Sequence, residues 1–438
     1  MLTLPSRILP VQRYCLAPGN HETAIEWPCM SANPQPAAVL PFQQAHERVN
    51  QYCRELKPAA VESANLLESL GRVLAEPVLA DRDFPPFARS ARDGYALRSS
   101  DLKGIPAQLA VVGQVKAGEH FGKALGENEA VEIMTGAPVP SGADAVVMVE
   151  YTREQDGRVT VQRSCARGDN IVPQASEAQA GHTMLAPGTR LGYAEIGVAA
   201  AVGKTALRVY TKPRVAILST GDELVEASAR PGPEQIRNSN SYSLAAQVAL
   251  AGGDAWRLPI APDSQAAIRA LIEQGLSADL LLLSGGVSMG KFDFVEQALA
   301  DLEARFFFTG ALIQPGKPVV FGEARTRPFF GLPGNPVSTM VTFDLFVRPV
   351  LQALGGAAPV RLPSAKARLG REIRTKAGLT RFLPAVLSGD LYDPAVEVVA
   401  WQGSGDLQSA ARANCYVIVP ADRERFAPGE MMSVLLRS

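Results

Sequence analysis

Hydrophobic and polar positions change their period several times along this chain. From Phe42 to Leu56, "FQQAHERVNQYCREL" spaces its apolar residues at helical intervals and halts before Pro58, which predicts a helix. "SANLLESLGRVLAE" predicts a second helix, ending before Pro77. Between about 78 and 174 the texture turns to short β-rich runs, "QLAVVGQV", "AVEIMTG", "DAVVMVEY" and "RVTVQRS". Turns rich in Gly, Pro, Ser and Asp separate them, which predicts an antiparallel, loop-rich domain. "RLGYAEIGVAAAV" then reads as a small-residue helix.

From about 212 to 354 continuous apolar runs alternate with amphipathic stretches. "VAILST", "AWRLPI", "DLLLLSG", "PVVFGEA" and "PFFGLPG" are strands; "SYSLAAQVALAG", "DSQAAIRALIEQG", "DFVEQALADL" and "VSTMVTFDLFVRPVLQAL" are helices. That alternation predicts a mostly parallel sheet covered on both faces. From about 361 short strands return ("FLPAVLS", "AVEVVAW", "CYVIVPA", "MSVLLR"), predicting a small β-barrel or sandwich. Residues 1–40 hold Pro5, Pro10, Pro18, Pro28, Pro34 and Pro36 and lack the apolar segment of a signal peptide, so a disordered lead-in is expected, with Met30 an alternative start.

Composition narrows the class. The 438 residues are 47% hydrophobic and 20% charged, enough for several folded cores. With 43 basic and 44 acidic residues the net charge is −1, so no global field draws the molecule onto nucleic acid or an anionic membrane. Cys15, Cys29, Cys53, Cys165 and Cys415 form no CxxC pair, and His21, His46, His120 and His182 are scattered. Neither a disulfide framework nor a zinc cage fits that spacing, and a reducing cytoplasm is expected. No apolar run is expected to span a membrane.

Candidate chemistry gathers at three strand ends of the α/β region: "STGDEL", "SGGVSMGKFDF" and "GLPGNPVS". Each combines Gly with Ser or Thr and leads towards a helix, so bare main-chain N–H groups can cradle a phosphate there. The candidate binding residues are Ser219, Thr220, Gly221, Ser284, Gly285, Gly286, Ser288, Lys317, Pro333, Gly334, Asn335 and Ser338. Neither a P-loop nor a GxGxxG fingerprint is present. Asp222, Glu223, Asp263 and Asp293 stand near the same ends. Singly, each reads as a helix cap. Together around a phosphate they repel it, each close pair by about 4 kcal/mol at an effective dielectric near 20. A bridging divalent cation removes that conflict, and all-oxygen ligation points to magnesium. In the β-rich region, the dense loops "FPPFARSARDGYAL" and "MTGAPVPSGADAVVMVE" single out Asp93 and Thr135, alternatively a turn residue and a bulge or cap.

Taken in order, "GRVLAEPVLADRDFPPFARSARDGYA", "IMTGAPVPSGADAVVMVE", "STGDEL", "SGGVSMG", "QPGKPVVFG" and "GLPGNPVS" resemble the molybdopterin molybdenumtransferases, the MoeA/gephyrin family, from about residue 40 to the C-terminus. The resemblance implies a multidomain α/β plus β protein. Residues 41–77 and 175–211 would form a linker domain, 78–174 an inserted β-rich domain, 212–357 a molybdopterin-binding α/β domain and 358–438 a C-terminal β-barrel. It implies a homodimer whose sites are built from two chains, and insertion of molybdate into adenylylated molybdopterin with magnesium-dependent release of AMP. Transient contact with the adenylyltransferase and with molybdoenzyme apoproteins follows from that role. Asp222, Glu223, Asp263 and Asp293 match acidic family positions at the nucleotide, metal and molybdate, and Asp93 and Thr135 match family site positions.

This sequence also departs from the family pattern. Gln314 and Gly310 stand where basic residues are common, Ala88-Arg89 replaces Asp-Asn, Arg92 a Met, and Glu177 an Asp. The "GDNIVPQASEAQAG" segment lacks arginines often present, and Leu379 and Pro384 replace arginines in "GLTRFLP". Arg89, Arg92, Arg381 and Lys291 are the candidate compensating cations. Two competing readings are a weakened carrier of molybdopterin and an adenylyltransferase, the latter disfavoured by the β-rich insertion and the barrel.

Overall fold

The computed structural model describes residues 39–58, 60–285, 294–357, 362–390 and 392–437. The expectations for 1–38, and for Gly286, Ser288, Lys291 and Asp293, lie outside the described residues. Val39–Leu40 is a strand paired in parallel with Gly310–Ala311.

The first predicted helix is Phe42–Glu55, burying Ala45, Val49 and Tyr52 along one stripe against the long helix ahead of the barrel. The second is overturned. Val61–Asn65 is a strand, antiparallel to Ala206–Tyr210 with Ala64 opposite Leu207, and it leads into a turn. Its apolar spacing fits a helix, but the partner strand offers a ladder that local propensity cannot match. Leu67 and Leu70, the residues a helix would have buried, are 82% and 61% exposed.

The β-rich region forms a six-stranded sheet: Ala145–Met148, Gly94–Leu97, Glu129–Ile133, Ala107–Val115, Arg158–Val161, Thr152–Gln155. It is not wholly antiparallel as expected. Ala107–Val115 and Glu129–Ile133 pair in parallel, because residues 116–128 carry the chain back to the same end of the sheet. Alternate residues feed two cores: Tyr95 and Leu97 one, Ala96 and Val131 the other.

The α/β sheet runs Asp254–Arg257, Arg214–Ser219, Leu280–Ser284, Arg327–Leu332, Val320–Ala324, Arg305–Phe308. The first four strands are parallel and the last two add antiparallel. The four leucines of "DLLLLSG" divide between its faces: Leu280 and Leu282 enter one core, Leu281 and Leu283 the other. A strand buried on both sides needs that unbroken apolar run. From Arg214–Ser219 the chain winds first to one side, then to the other. The switch point lies between Arg214–Ser219 and Leu280–Ser284, the crevice where open α/β sheets take ligands.

Pro336–Thr342, a π-type turn at Phe343–Val347 and Arg348–Leu354 form one continuous closing helix. Pro336–Leu354 is long and apolar enough to cross a membrane by length and composition, but 83% of its most apolar window is buried inside the fold, as in a core helix. Within it, buried Asp344 accepts from Arg348 and from Gln247, and burial pushes the Asp344 carboxyl above its ordinary range. The last region is a closed barrel: Thr380–Gly389, Pro394–Val398, Ser364–Leu369, Met431–Leu436 and Cys415–Val419, the last pairing back to the first. Ile313–Gln314 adds to its rim in parallel with Thr380 and Arg381, which ties the barrel to the α/β region.

Candidate functional site

Parallel register sets the floor of the site. Ser219 lies opposite Ser284, and Ser284 opposite Leu332, so the three Gly-rich ends emerge side by side. Main-chain bonds continue the pairing past the strands: Thr220 N–H donates to Ser284 O at 3.3 Å and Gly285 N–H to Leu332 O at 3.3 Å. Gly285 has φ +90°, and a Cβ there would stand 2.9 Å from Thr220 O. Only glycine lets the second end approach the first this closely.

Two asparagines lock the ends together. Asn238, 3% exposed, caps the Ser239–Leu250 helix by accepting from Ser241 N–H at 3.1 Å, and it also accepts from Ser219 Oγ at 3.2 Å. Asn240 Nδ2 donates to Ser284 Oγ at 3.0 Å and to Gly334 O at 2.8 Å, a staple between the second and third ends. Its Oδ1 is buried without a hydrogen-bond partner. Sequence reading began the helix at "SYSL", two residues late, and missed both residues. The available signal was an Asn-x-Asn at a helix start beside a strand end.

The first end differs from expectation. "STGDEL" leads not into a helix but into a two-stranded ribbon, Leu224–Val225 beside Ile236–Arg237, and the helix begins only at Ser239. Asp222 and Glu223 therefore cap no helix. Both are exposed; Asp222 Oδ1 accepts from Asp263 N–H at 3.0 Å, and Glu223 O accepts from Ile236 N–H at 2.8 Å. Asp263 is drawn beside Asp222 by the bridge from Thr220 to Ala261. Thus Asp222, Glu223 and Asp263 share one edge of the crevice. Among the described residues no group of three or more His, Cys, Asp or Glu is arranged to hold a metal.

At the third end Asn335 stands at the cap position of the closing helix, exposed and without a side-chain cap bond, and Pro336 opens the first turn. Pro333 is buried, and Ser338 is 4% exposed, one turn inside the helix. The Gln314–Lys317 turn packs against this helix: a Cβ on Gly316 would lie 3.5 Å from Ser338 O. Lys317 is exposed on that turn. From the barrel, Ser404 O accepts from Val337 N–H at 2.9 Å, which brings the "GSG" loop onto the same helix start. Arg381, 8% exposed, donates from Nε to Gln314 Oε1 at 2.8 Å and from Nη1 to Leu379 O at 3.1 Å. It bridges two of the positions that lack a basic residue. Burial lowers its pKa from the ordinary arginine value.

Asp93 and Thr135 come together in the β-rich region, just before Gly94–Leu97 and just after Glu129–Ile133, rather than at the α/β strand ends. Asp93 Oδ1 accepts from Thr135 N–H at 2.6 Å and from Thr135 Oγ1 at 2.8 Å. The main-chain bond, then the hydroxyl bond, hold this exposed carboxyl below its usual range. Burial pushes the thiols of Cys53 to about 12 and of Cys165 and Cys415 to about 11, so none is poised as a nucleophile. The arrangement suits binding and charge neutralisation of an extended anion rather than covalent catalysis.

The chain is similar to known proteins over most of its length. Residues 40–203 match the "MoeA N-terminal region (domain I and II)", 216–353 the "Probable molybdopterin binding domain" and 366–436 the "MoeA C-terminal region (domain IV)". A molybdopterin molybdenumtransferase of Nostoc sp. is 36% identical over 386 residues, 85% of this chain and 88% of that protein. One from Bacillus subtilis is 34% identical over 400 residues, 89% and 93% of the two chains. A molybdopterin biosynthesis MoeA protein structure from Pyrococcus horikoshii OT3 superposes with a TM-score of 0.76 at 29% identity, over 91% of this chain and 100% of that one.

Proposed function

This chain belongs to the molybdopterin molybdenumtransferases, the MoeA family of molybdenum cofactor biosynthesis, and we propose that it inserts molybdate into adenylylated molybdopterin with release of AMP. The observation that carries this reading is the alignment of three small-residue strand ends at the switch point, stapled by Asn240 and edged by Asp222, Glu223 and Asp263. Thr220, Gly221 and Gly285 would form the floor of the phosphate cradle by close main-chain approach, since their N–H groups are already given to Ser284 O, Ala261 O and Leu332 O. The buried Ser219 and Ser284 brace that floor. The donors offered to a phosphate would come from the exposed third end, Gly334 and Asn335, and from Lys317, with Ser338 behind them. In the reaction, water cleaves the phosphoanhydride, leaving one phosphate on the pterin and one on AMP. The two dithiolene thiols bond the molybdenum, one Mo–O bond of molybdate breaks, and that oxygen leaves as water with the two thiol protons, with no change of oxidation state.

The exposed carboxylates of Asp222 and Glu223 are hard oxygen donors that fit magnesium. Since no three acidic side chains converge among the described residues, one or two of them would share the ion with substrate phosphate oxygens, with Asp263 beside them. When bound, magnesium neutralises charge on the phosphoanhydride. Arg381 supplies the positive charge missing at Gln314 and Leu379 for the incoming oxyanion. In a homodimer, the Asp93–Thr135 pair would close on the partner copy's strand ends. The protein would act in the cytoplasm, receiving substrate from an adenylyltransferase and passing cofactor to molybdoenzyme apoproteins.

The test is direct. Purified protein is given adenylylated molybdopterin, magnesium and molybdate, and AMP is followed by chromatography. Molybdate-dependent AMP is the expected result. Consumption of ATP with free molybdopterin would replace the proposal with adenylyl transfer, and tight binding without turnover would leave a carrier.

A further inference from the structure

The ribbon that carries Asp222 and Glu223 is two residues deep, Leu224–Val225 beside Ile236–Arg237. So short a ribbon is marginal by itself in water, and the loop at its far end, 226–235, lies outside the sheet. Besides the bond from Asp263 N–H to Asp222, a side-chain cluster centred on Arg257 ties it to the rest of the domain. Arg257, the last residue of the strand beside Arg214–Ser219, reaches three elements at once. Its Nη2 donates to both carboxylate oxygens of Glu226, at 3.1 and 2.9 Å. Its Nε donates to Ser241 Oγ at 3.1 Å, in the first turn of the Asn238-capped helix. Its guanidinium lies over the Tyr242 ring, 3.8 Å from the centroid. Tyr242 Oη closes the circle by donating to Glu226 Oε2 at 3.3 Å.

We infer that Arg257 is a positioning residue: with Glu226 and Tyr242 it clasps the ribbon to the Ser239–Leu250 helix and so fixes Asp222 and Glu223 at the edge of the crevice. The chemistry requires arginine. A planar fork that bonds through two edges while stacking through its face has no lysine equivalent. An ion pair this exposed adds little to global stability, so the clasp's effect is local order.

This inference rests on Asp222 and Glu223 serving the substrate, and its test is chosen to separate the two. Hydrogen exchange is measured at Ile236 and Asn238, whose amides bond Glu223 O and Val225 O across the ribbon. Arg257→Gln should raise exchange there by about tenfold, the loss of one charge-assisted bidentate pair, with the thermal midpoint unchanged. Arg257→Lys should recover only part of the protection, and Tyr242→Ala should lose part of it by removing the stacking platform. In turnover, the KM for adenylylated molybdopterin should rise by about tenfold while kcat stays close to wild type. Unchanged exchange in both Arg257→Gln and Tyr242→Ala would overturn the clasp whatever the kinetics. Raised exchange with an unmoved KM would retain the clasp as a structural tie but overturn its role in placing the acids. If Asp222→Ala retains full turnover, the site reading fails and the exchange result stands by itself.

Discussion

Replacing Asn240 isolates the link between the second and third strand ends. Its Nδ2 makes two bonds, 3.0 Å to Ser284 Oγ and 2.8 Å to Gly334 O. Each such bond contributes roughly 0.5–1.5 kcal/mol net, so Asn240→Ala forfeits at most about 3 kcal/mol. Gly334 is exposed and water can satisfy its carbonyl after truncation, which brings the expected loss to about 1–2 kcal/mol. Little of that falls on global folding, because the third loop can drift without unpacking a core. It falls on binding, where ordering of the loop must be recovered. At 1.4 kcal/mol per decade, kcat/KM for AMP release should drop by about 5- to 30-fold. Asn240→Asp keeps the shape but turns the donor into an acceptor facing two oxygens, so its loss should exceed that of alanine. The assay is initial-rate AMP release over a substrate series, with calorimetric titration of AMP as the equilibrium check. Wild-type kcat/KM in both variants would refute the stapled cradle.

Three further outcomes are expected. Asp222→Ala and Glu223→Ala should each abolish molybdate-dependent AMP release while circular dichroism and the thermal midpoint stay near wild type; wild-type rates in both would misplace the site. Asp93 should titrate below the ordinary aspartate value by NMR, since the Thr135 bonds favour its ionised form. Their contribution is present above the unfolded pKa and is lost as pH falls through the depressed folded value; Thr135→Ala should move the midpoint up only in part, because the stronger main-chain bond remains. Leu282→Ala, fully buried in the central strand, should cost about 2–5 kcal/mol in denaturant unfolding; a loss under about 1 kcal/mol would mean the core there is not packed as described.

Much of the architecture was legible because it rests on local period. Continuous apolar runs between amphipathic stretches marked the α/β sheet, and glycines beside serines marked its strand ends. The errors share a cause, which is partnering at a distance. Residues 63–76 have helical spacing, but their first three join Val61 and Glu62 in a strand set by Ala206–Tyr210, far along the chain, and a turn follows. The parallel pair in the β-rich sheet depends on where residues 116–128 return the chain. Asn240, Ser404 and Arg381 reach the site region through contacts with Gly334, Val337 and Gln314, and no sequence window holds both members of any of these pairs. Asp222 was legible as an acid near a phosphate cradle. Its bond to the Asp263 main chain was not, because that requires the Thr220–Ala261 bridge.

The most direct measurement is a crystal structure of the protein soaked with adenylylated molybdopterin. Density for the phosphates should lie against Thr220, Gly285 and Gly334, with Asp222 and Glu223 at its edge. A pterin nucleotide bound elsewhere, with these three turns vacant, would contradict the account.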